Sequence, residues 1–371
     1  MYLYFLMALL WYIIGRKNNI TSKTTDREKF SICIKMSIPL ILVMGLRHVC
    51  VGSDTEQYLY RFNNSRSFLD NDYYQWEKGY NYLNYLVNDI LQLNWQVFLI
   101  IVAAFFCFVL ARFIAKYSVS PVFSFYLFMT ITIFAMSLSG IRQCIALSIC
   151  YIALMFILEK EANIRNLKNL IVPVLLVSIA YTFHNSSIIF IPFIILAFLK
   201  LRLSKIQTFF VILAGASSIV LKNMFGSIIG GVMIEKYHDF NLSTNYVANI
   251  LVLIVPISIA LFCLFMSKTE NDGKYNSTIS LMFVFISLTI FFLNLQSLNN
   301  QIGRLSYYFI YSYLVLIPYS FSTMTKSESR FYKPLVLLVC TAYFIIGNMG
   351  DIMQIDDYHF FWEDVQWVSR D

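Results

Sequence analysis

The stretch MSIPLILVMGLRHVCVGSDTEQY, residues Met36 to Tyr58, decides how the chain folds. Residues 36–46 are almost all apolar and end at a cation, Arg47, which is followed by a glycine turn and the carboxylate of Asp54. An apolar run that ends in charged and turn-forming residues is typical of a membrane span that has reached the membrane edge. The stretch therefore predicts that a cation and a carboxylate lie together at one edge of a membrane.

The composition of the whole chain agrees with this prediction. The 371 residues are 58% hydrophobic and only 13% charged, with a mean hydropathy of +0.65, whereas a soluble domain carries about 25% charged residues. The net charge of +7 is spread over short loops and forms no basic face, which excludes nucleic acid as a partner. The seven cysteines show no C-x-x-C pair, and we predict neither a metal site nor a cofactor.

Twelve apolar runs predict an all-α polytopic membrane protein with about 12 transmembrane helices in a single domain, residues 1–371. They lie at about residues 1–15, 36–46, 95–111, 119–138, 141–158, 169–183, 184–199, 206–221, 247–267, 277–295, 305–323 and 334–349. Most of the 28 Lys and Arg residues fall in alternate loops, so the positive-inside rule places the N-terminus outside. The cations near the first run follow it, which predicts a retained anchor rather than a cleaved signal.

The predicted topology places two long loops and the C-terminal tail outside. The loops are residues 47–94 and 222–246, and the tail is residues 350–371. Within the first loop, residues 82–91 have an apolar helical stripe that predicts an amphipathic helix in the outer membrane interface. Residues 169–199 lie between two basic loops and must cross an even number of times, so we expect the chain to turn back near His184.

Three arginines stand at the predicted outer ends of apolar spans. Arg47 ends the second span, and Arg142 and Arg304 each open a span. An arginine in hydrocarbon costs about 2.5–3.5 kcal/mol on insertion scales, so retaining one needs a reason. At a helix N-terminus it adds to the free backbone N–H groups, and together they favour an anion such as phosphate. The alternative is contact with lipid headgroups or with an acidic side chain.

Other polar residues on the outer side have both structural and chemical interpretations. His184 is either a hydrogen-bonded structural residue or a base or sugar-hydroxyl partner. Asp54 either caps the following helix or acts chemically, and Glu77 lies beside a second turn. The triplet Asp70-Asn71-Asp72 has the D-x-D pattern of many metal-dependent glycosyltransferases, a pattern that also arises by chance in acidic loops.

Five short motifs follow one another over residues 47–309. They are Arg47 with Val51-Gly52-x-Asp54-Thr55-x-x-Tyr58 and Phe62; Glu77-x-Gly79-Tyr80 with Leu83-Asn84; Ser139-Gly140-Ile141-Arg142-Gln143 with Ala146; Ala180-x-x-Phe183-His184-x-Ser186; and Arg304 with Tyr308-Phe309. In this order they resemble the EpsG family of Wzy-like exopolysaccharide and O-antigen polymerases.

The resemblance implies an enzyme of the bacterial inner membrane that joins lipid-linked oligosaccharide repeats on the outer face, for an exopolysaccharide, capsule or O-antigen. A growing glycan would pass from undecaprenyl pyrophosphate to the terminal sugar of a new lipid-linked repeat, with lipid tails entering between the spans. The implied pyrophosphate ligands are Arg47, Arg142 and Arg304, the candidate bases are Asp54, Glu77 and His184, and the candidate substrate-binding residues are Tyr58, Gln143 and Tyr308. The resemblance leaves open a chain-length regulator protein as a partner.

Three other functions remain compatible with the sequence. Another lipid-donor glycosyltransferase, or an O-antigen-type ligase, would differ from a polymerase mainly in its acceptor. A flippase or transporter of lipid-linked oligosaccharide would place its ionisable groups near the bilayer midplane, whereas here they lie at the outer rim. An acyltransferase or other transferase is the remaining alternative.

Overall fold

A computed structural model describes residues 2–18, 24–70, 77–131, 133–159, 164–220, 246–296, 298, 300–348 and 357–365. Over these residues the chain is helical, and two isolated β-bridges are the only pairings of extended backbone. The chain divides into two compact units, Met1–Phe198 with Tyr332–Asp371, and Leu199–Phe331. The all-helical architecture that the sequence predicts is present in the described residues of both.

The helices follow the predicted apolar runs, and short helices fill the first long loop. In chain order they are α1 (Tyr2–Asn18), α2 (Asp26–Gly45), α3 (Thr55–Asn63), α4 (Ser65–Asp70), α5 (Lys78–Tyr85), α6 (Trp95–Tyr117), α7 (Pro121–Thr130), α8 (Ile133–Ser139), α9 (Ile141–Glu159), α10 (Ile171–Phe183), α11 (Ile191–Leu199), α12 (Lys205–Ala216), α13 (Tyr246–Met266), α14 (Ser277–Leu295), α15 (Asn300–Gly303), α16 (Tyr313–Thr323) and α17 (Lys326–Asn348). A π-helical turn, Leu86–Ile90, continues α5, and 3-10 turns cover Ile164–Leu170, Asn185–Phe190, Arg304–Tyr308 and Ile310–Ser312.

Side-chain caps set where several of these helices begin. The Thr25 hydroxyl accepts a hydrogen bond from the Glu28 backbone N–H at 3.3 Å, and the Glu28 carboxylate accepts one from the Thr25 N–H at 2.8 Å. The Asn94 side chain likewise accepts from the Val97 N–H at 3.0 Å and starts α6. These bonds satisfy backbone donors that have no partner within the first helical turn.

Four helices are long and apolar enough to cross a membrane, judged by length and composition over the described residues. They are Trp95–Tyr117, Ile141–Glu159, Ser277–Leu295 and Lys326–Ile346, and a fifth span results if the bent pair α7 and α8 counts as one. The protein is therefore a polytopic membrane protein. The count of about twelve spans and the outside position of the N-terminus stay predictions.

In the first unit, α2 packs along α6 and α6 along α9. The Trp11 indole donates to the Met36 carbonyl at 2.8 Å, which ties α1 to α2, and Phe113 meets Tyr151 edge to face at 4.9 Å between α6 and α9. At one end of this bundle Lys116 forms an ion pair with Glu159, two residues that the charge pattern assigns to the same side. Exposed aliphatic side chains such as Leu175, 57% exposed, suit a lipid-facing surface.

In the second unit, α12, α13 and α14 pack together with α16. Gly215 of α12 lies directly against Ser287 of α14. An added Cβ on Gly215 would overlap the Ser287 carbonyl oxygen and lie 2.6 Å from the Ser287 hydroxyl oxygen. At one end of this unit Arg202 pairs with Asp272 at 2.7 Å, and the charge pattern again assigns both residues to one side. In each unit the ion pair places two loops at the same end, as the predicted alternation requires.

The structure describes two of the three segments for which the sequence predicts a turn, an amphipathic helix or a long loop. The apolar segment 169–199 breaks at His184, where the backbone is extended (φ −157°, ψ 113°) between α10 and a 3-10 turn. Residues 82–90 are helical, with Tyr82 and Ile90 more than half exposed and Val87 and Asn84 buried, so part of the predicted apolar stripe is available for contact with lipid. Residues 222–245 of the second long loop, and most of the tail, 350–371, lie outside the described residues.

Candidate functional site

The carboxylate of Glu77 joins two polar residues that are distant in sequence. Its Oε2 forms an ion pair with Nη1 of Arg142, and its Oε1 lies 3.3 Å from Nδ1 of His184. The backbone N–H of Asn185 donates to the same Oε1 at 3.0 Å. We call Tyr58, Glu77, Arg142, His184 and Asn185 the Glu77 cluster.

The packing of α9 against α10 explains why these residues meet. Arg142 opens α9, and His184 directly follows the last residue of α10, so the two helices run antiparallel and present those ends at one edge. Arg142 and His184 thus lie at the same end of α9 and α10 within this unit. The side of the membrane that this edge faces stays a prediction.

Close approach of α5 to α10 brings Glu77 to this edge. An added Cβ on Gly79 would lie 2.6 Å from the backbone carbonyl oxygen of Thr182, closer than real Cβ contacts. Only glycine permits the two backbones to come this near. The motif Glu77-x-Gly79 thus places its carboxylate two residues before the point of closest contact.

Two tyrosine rings lie on the Arg142 side of the ion pair. Tyr58 is 3% exposed, and the Arg142 guanidinium carbon lies 5.9 Å from the centre of its ring. Tyr80, which is fully buried, meets Tyr58 edge to face at 5.6 Å. The Arg142 and Glu77 side chains are themselves mostly buried, which strengthens the electrostatic attraction between them.

The environment of Glu77 favours its ionised form. Burial acts to raise the pKa of Glu77, but the contact with His184, the charge of Arg142 and the Asn185 N–H outweigh it and lower the pKa to about 2. A carboxylate with so low a pKa is a weak proton acceptor near neutral pH. The contacts of Glu77 with Arg142 and the Asn185 N–H therefore make it a poor candidate for the base.

Arg47 is a buried cation with unsatisfied donors. It is 2% exposed, and its Nη1 donates to the Met44 carbonyl. Over the part of the chain that the structure describes, Nε and Nη2 have no hydrogen-bond partner. Burial lowers the pKa of Arg47 to about 10, with nearby Tyr358, Cys144, Tyr80 and Tyr58 opposing the shift, so the side chain still carries its charge at neutral pH.

Asp54 follows the turn that the sequence predicts. Gly52 has φ +91°, a left-handed conformation, and an added Cβ would lie 3.0 Å from the backbone carbon of Leu138. The Ser53 N–H donates to the Ser139 hydroxyl at 3.1 Å, which holds the turn beside the start of α9. Asp54 occupies the N-cap of α3, as the capping interpretation expects, but its side chain makes no capping hydrogen bond.

The other candidates lie farther into the protein or in the other unit. Gln143 is 4% exposed in the first turn of α9, beside Arg142. Arg304 begins a 3-10 turn of the second unit, and Tyr308, at the end of that turn, is fully buried. The roles that the sequence assigns to these residues stay predictions.

A short piece of the tail adds residues that the sequence analysis did not single out. Residues 357–365, which we call the tail segment, pair with the backbone around Arg47: the His48 N–H donates to the His359 carbonyl at 2.8 Å and the Phe361 N–H to the Leu46 carbonyl at 2.9 Å. The only sequence signal for this contact is the run of five ring-bearing residues Tyr358 to Trp362 in an acidic tail.

Metal binding finds no support in the described residues. Over that part of the chain, no three His, Cys, Asp or Glu side chains lie close enough together to hold an ion. The triplet Asp70-Asn71-Asp72 falls mostly outside it, since residues 71–76 are not described.

Comparison with known proteins identifies the family. The model of the EpsG family matches residues 29–360, which contain the Glu77 cluster, Arg47, Arg304 and part of the tail segment. Nothing matches in the comparisons with curated proteins and with solved structures. Since the family match spans nearly the whole chain, the protein belongs to the EpsG family of Wzy-like polymerases.

Proposed function

We propose that the protein transfers a growing glycan from undecaprenyl pyrophosphate to the terminal sugar hydroxyl of a lipid-linked repeat at the outer face of the inner membrane. Family membership supports an exopolysaccharide polymerase. The observation that carries the chemical assignment is the Glu77 carboxylate, which joins a cation, Arg142, to an imidazole, His184.

Arg142 and Arg47 are the proposed pyrophosphate ligands. Both guanidinium groups lie near Tyr58 and Tyr80, and only Arg142 has a carboxylate partner among the described residues. A buried cation without a counter-ion is costly, and phosphate oxygens would satisfy the remaining donors of Arg47. Arg304 is a third candidate, proposed from the sequence alone.

His184 is the proposed general base. Its Nδ1 lies beside the Glu77 carboxylate, an arrangement that orients an imidazole and leaves Nε2 to accept a proton. Asp54 is the alternative base, since it lies beside the turn packed on the start of α9. Glu77 then acts as the residue that positions both Arg142 and His184.

The proposed reaction is a displacement at the anomeric carbon of the donor glycan. The acceptor hydroxyl gives its proton to the base and its oxygen bonds to the anomeric carbon, while the bond from that carbon to the phosphate oxygen breaks. Undecaprenyl pyrophosphate leaves with the bonding electrons, and fixed cations stabilise the charge that develops on it. The product is a lipid-linked glycan that is one repeat longer.

The test uses purified protein in liposomes with a defined undecaprenyl-pyrophosphate-linked repeat and excess chelator. We expect a ladder of glycans, and we expect one undecaprenyl pyrophosphate to be released for each repeat that is added. Arg142→Ala should lower the rate at least about 100-fold, the effect typical of losing one preorganised donor to a developing anion. Arg66→Ala, which removes an exposed arginine of α4 in the first long loop, is the control and should leave the rate unchanged.

A second variant separates phosphate binding from a structural role at Arg47. Replacing an unpaired buried cation with an apolar side chain of similar length should preserve or raise thermal stability. We therefore expect Arg47→Met to remain folded and to lose activity. Full activity in the Arg47→Met variant would refute the role of Arg47, and full-length chains from Arg142→Ala would refute the anion site.

The same assay distinguishes the alternative functions. Movement of intact lipid-linked repeat across the bilayer without a ladder would identify a transporter. A single transfer to a different acceptor, without chain growth, would identify a ligase.

A further inference from the structure

The tail segment presents large aromatic rings to the surroundings. Trp362 is 60% exposed and Phe361 46% exposed. The Trp362 ring lies parallel to that of Phe360, with 4.6 Å between centroids and an interplanar angle of 6°. Phe360 therefore stacks on one face of Trp362. Phe361 meets the indole edge to face, with 5.0 Å between centroids, and more than half of the Trp362 side chain stays exposed.

Backbone pairing holds these rings in a defined position. Besides the two bonds to Leu46 and His48, the Tyr358 hydroxyl donates to the Val43 carbonyl at 2.8 Å. His359 lies between the carboxylates of Asp357, at 3.1 Å, and Glu363, at 2.8 Å. An exposed aromatic ring on a segment with this many anchors is preorganised, which lowers the entropic cost of binding a ligand.

The chemistry of the segment suits a carbohydrate. The face of an aromatic ring carries partial negative charge and attracts the weakly positive C–H bonds of a sugar ring. The side chains of Asp357 and Glu363 are 92% and 40% exposed, and carboxylates accept hydrogen bonds from sugar hydroxyl groups. The segment thus offers both a stacking surface and hydrogen-bond acceptors.

The negative charge of the tail segment does not suit an anionic membrane surface. Residues 357–365 contain three carboxylates, Asp357, Glu363 and Asp364, and neither lysine nor arginine. Segments that bind anionic lipid surfaces are instead rich in basic residues. A neutral polyhydroxyl ligand fits the observed charges better.

We infer that the tail segment is a glycan-binding subsite in which Trp362 stacks on a sugar ring of the lipid-linked substrate. This inference rests on the proposed function, and it adds a place for the sugars next to the place proposed for the pyrophosphate. The segment pairs directly with the backbone of Arg47 through the bridge between Arg47 and Phe360. A glycan whose pyrophosphate contacts Arg47 has this surface within reach.

Binding can be measured without any polymerisation. The probe is a set of oligosaccharides released by partial acid hydrolysis from the surface polysaccharides of cells that express the chain. Saturation-transfer NMR with the protein in nanodiscs reports their binding. The variants are Trp362→Phe, which keeps an aromatic face, and Trp362→Leu, which keeps only an apolar side chain; Tyr82→Leu, at an exposed tyrosine of α5, is the matched control.

We expect the unaltered protein, Trp362→Phe and Tyr82→Leu to bind the probe, and Trp362→Leu to bind about tenfold more weakly. In the ladder assay Trp362→Leu should raise KM for the lipid-linked repeat with little change in kcat. Equal binding by the Phe and Leu variants, or no binding by the unaltered protein, overturns the inference. Equal binding together with quenching of the tail by brominated lipid identifies a membrane anchor instead.

The outcomes also separate this inference from the proposed function. A ladder from the unaltered protein, with binding unaffected by Trp362→Leu, refutes the subsite alone. Ring-dependent binding without a ladder retains the subsite and refutes the polymerase.

Discussion

At the scale of single residues, the structure distinguishes roles that the sequence leaves equivalent. Glu77 and His184 are both candidate bases by sequence, yet one oxygen of Glu77 faces Arg142 and the other faces His184 and Asn185. A carboxylate in contact with a cation, an imidazole and a backbone N–H group is stabilised in its ionised form. Glu77 is therefore better suited to positioning its neighbours than to accepting a proton.

The pH dependence of activity tests this assignment. A base must be unprotonated, so activity falls as the pH decreases through the pKa of that base. Because the pKa of Glu77 is lowered to about 2, catalysis with Glu77 as base would persist to about pH 3. We expect kcat/KM to decline at a clearly higher pH in the unaltered protein.

The variant Glu77→Gln provides the second half of this test. Hydrogen bonds to charged groups contribute about 1.5–3 kcal/mol, so we expect kcat/KM to fall about 10- to 100-fold. The decline of kcat/KM at acid pH should remain, because the group that must lose its proton is still present in this variant. If the decline of kcat/KM at acid pH disappears in this variant, Glu77 is the base.

At the scale of the elements, close backbone contact between helices positions the site. Gly79 lets α5 approach the end of α10, and Gly52 lets the turn before α3 approach Leu138. Sequence analysis finds both glycines in the motifs but does not say which backbone each one contacts. Those partners, Thr182 and Leu138, are more than 80 residues away along the chain.

A methyl group at Gly79 tests the contact between α5 and α10. The variant Gly79→Ala must move one backbone, because the added Cβ would lie 2.6 Å from the Thr182 carbonyl oxygen. We expect a loss of about 1–3 kcal/mol in stability and a larger relative loss of activity, since Glu77 moves away from His184. The matched control is Tyr82→Ala on the exposed face of the same helix, and thermal unfolding and the ladder assay provide the measurements.

Equal activity in the two variants would contradict this account. It would mean that the position of Glu77 does not depend on the approach of α5 to α10.

At the scale of the whole molecule, the predicted topology has a direct consequence. Residue 57 belongs to the first long loop, which the charge pattern places outside. Residue 119 lies between α6 and α7, next to the loop 112–118, which the charge pattern places inside. Gln57 and Val119 are both exposed. Of the seven cysteines only Cys50 is not buried, so Cys50→Ser gives a suitable background for thiol labelling.

In that background an impermeant maleimide should label Gln57→Cys in intact spheroplasts. Val119→Cys should react only after the membrane is permeabilised. The reverse pattern would invert the topology and place the Glu77 cluster on the inner side.

The amino-acid sequence alone determined the class of the protein, because long apolar runs leave the backbone little choice but helices in a membrane. It also determined the family, since the motifs at Arg47, Glu77, Arg142 and His184 are local patterns. Only the tertiary structure decided which of those residues meet. The antiparallel packing of α9 and α10 joins Glu77 to both Arg142 and His184, and the tail segment returns to Arg47 over a separation of more than 300 residues. Such contacts depend on packing between distant helices, which no local pattern of residues encodes.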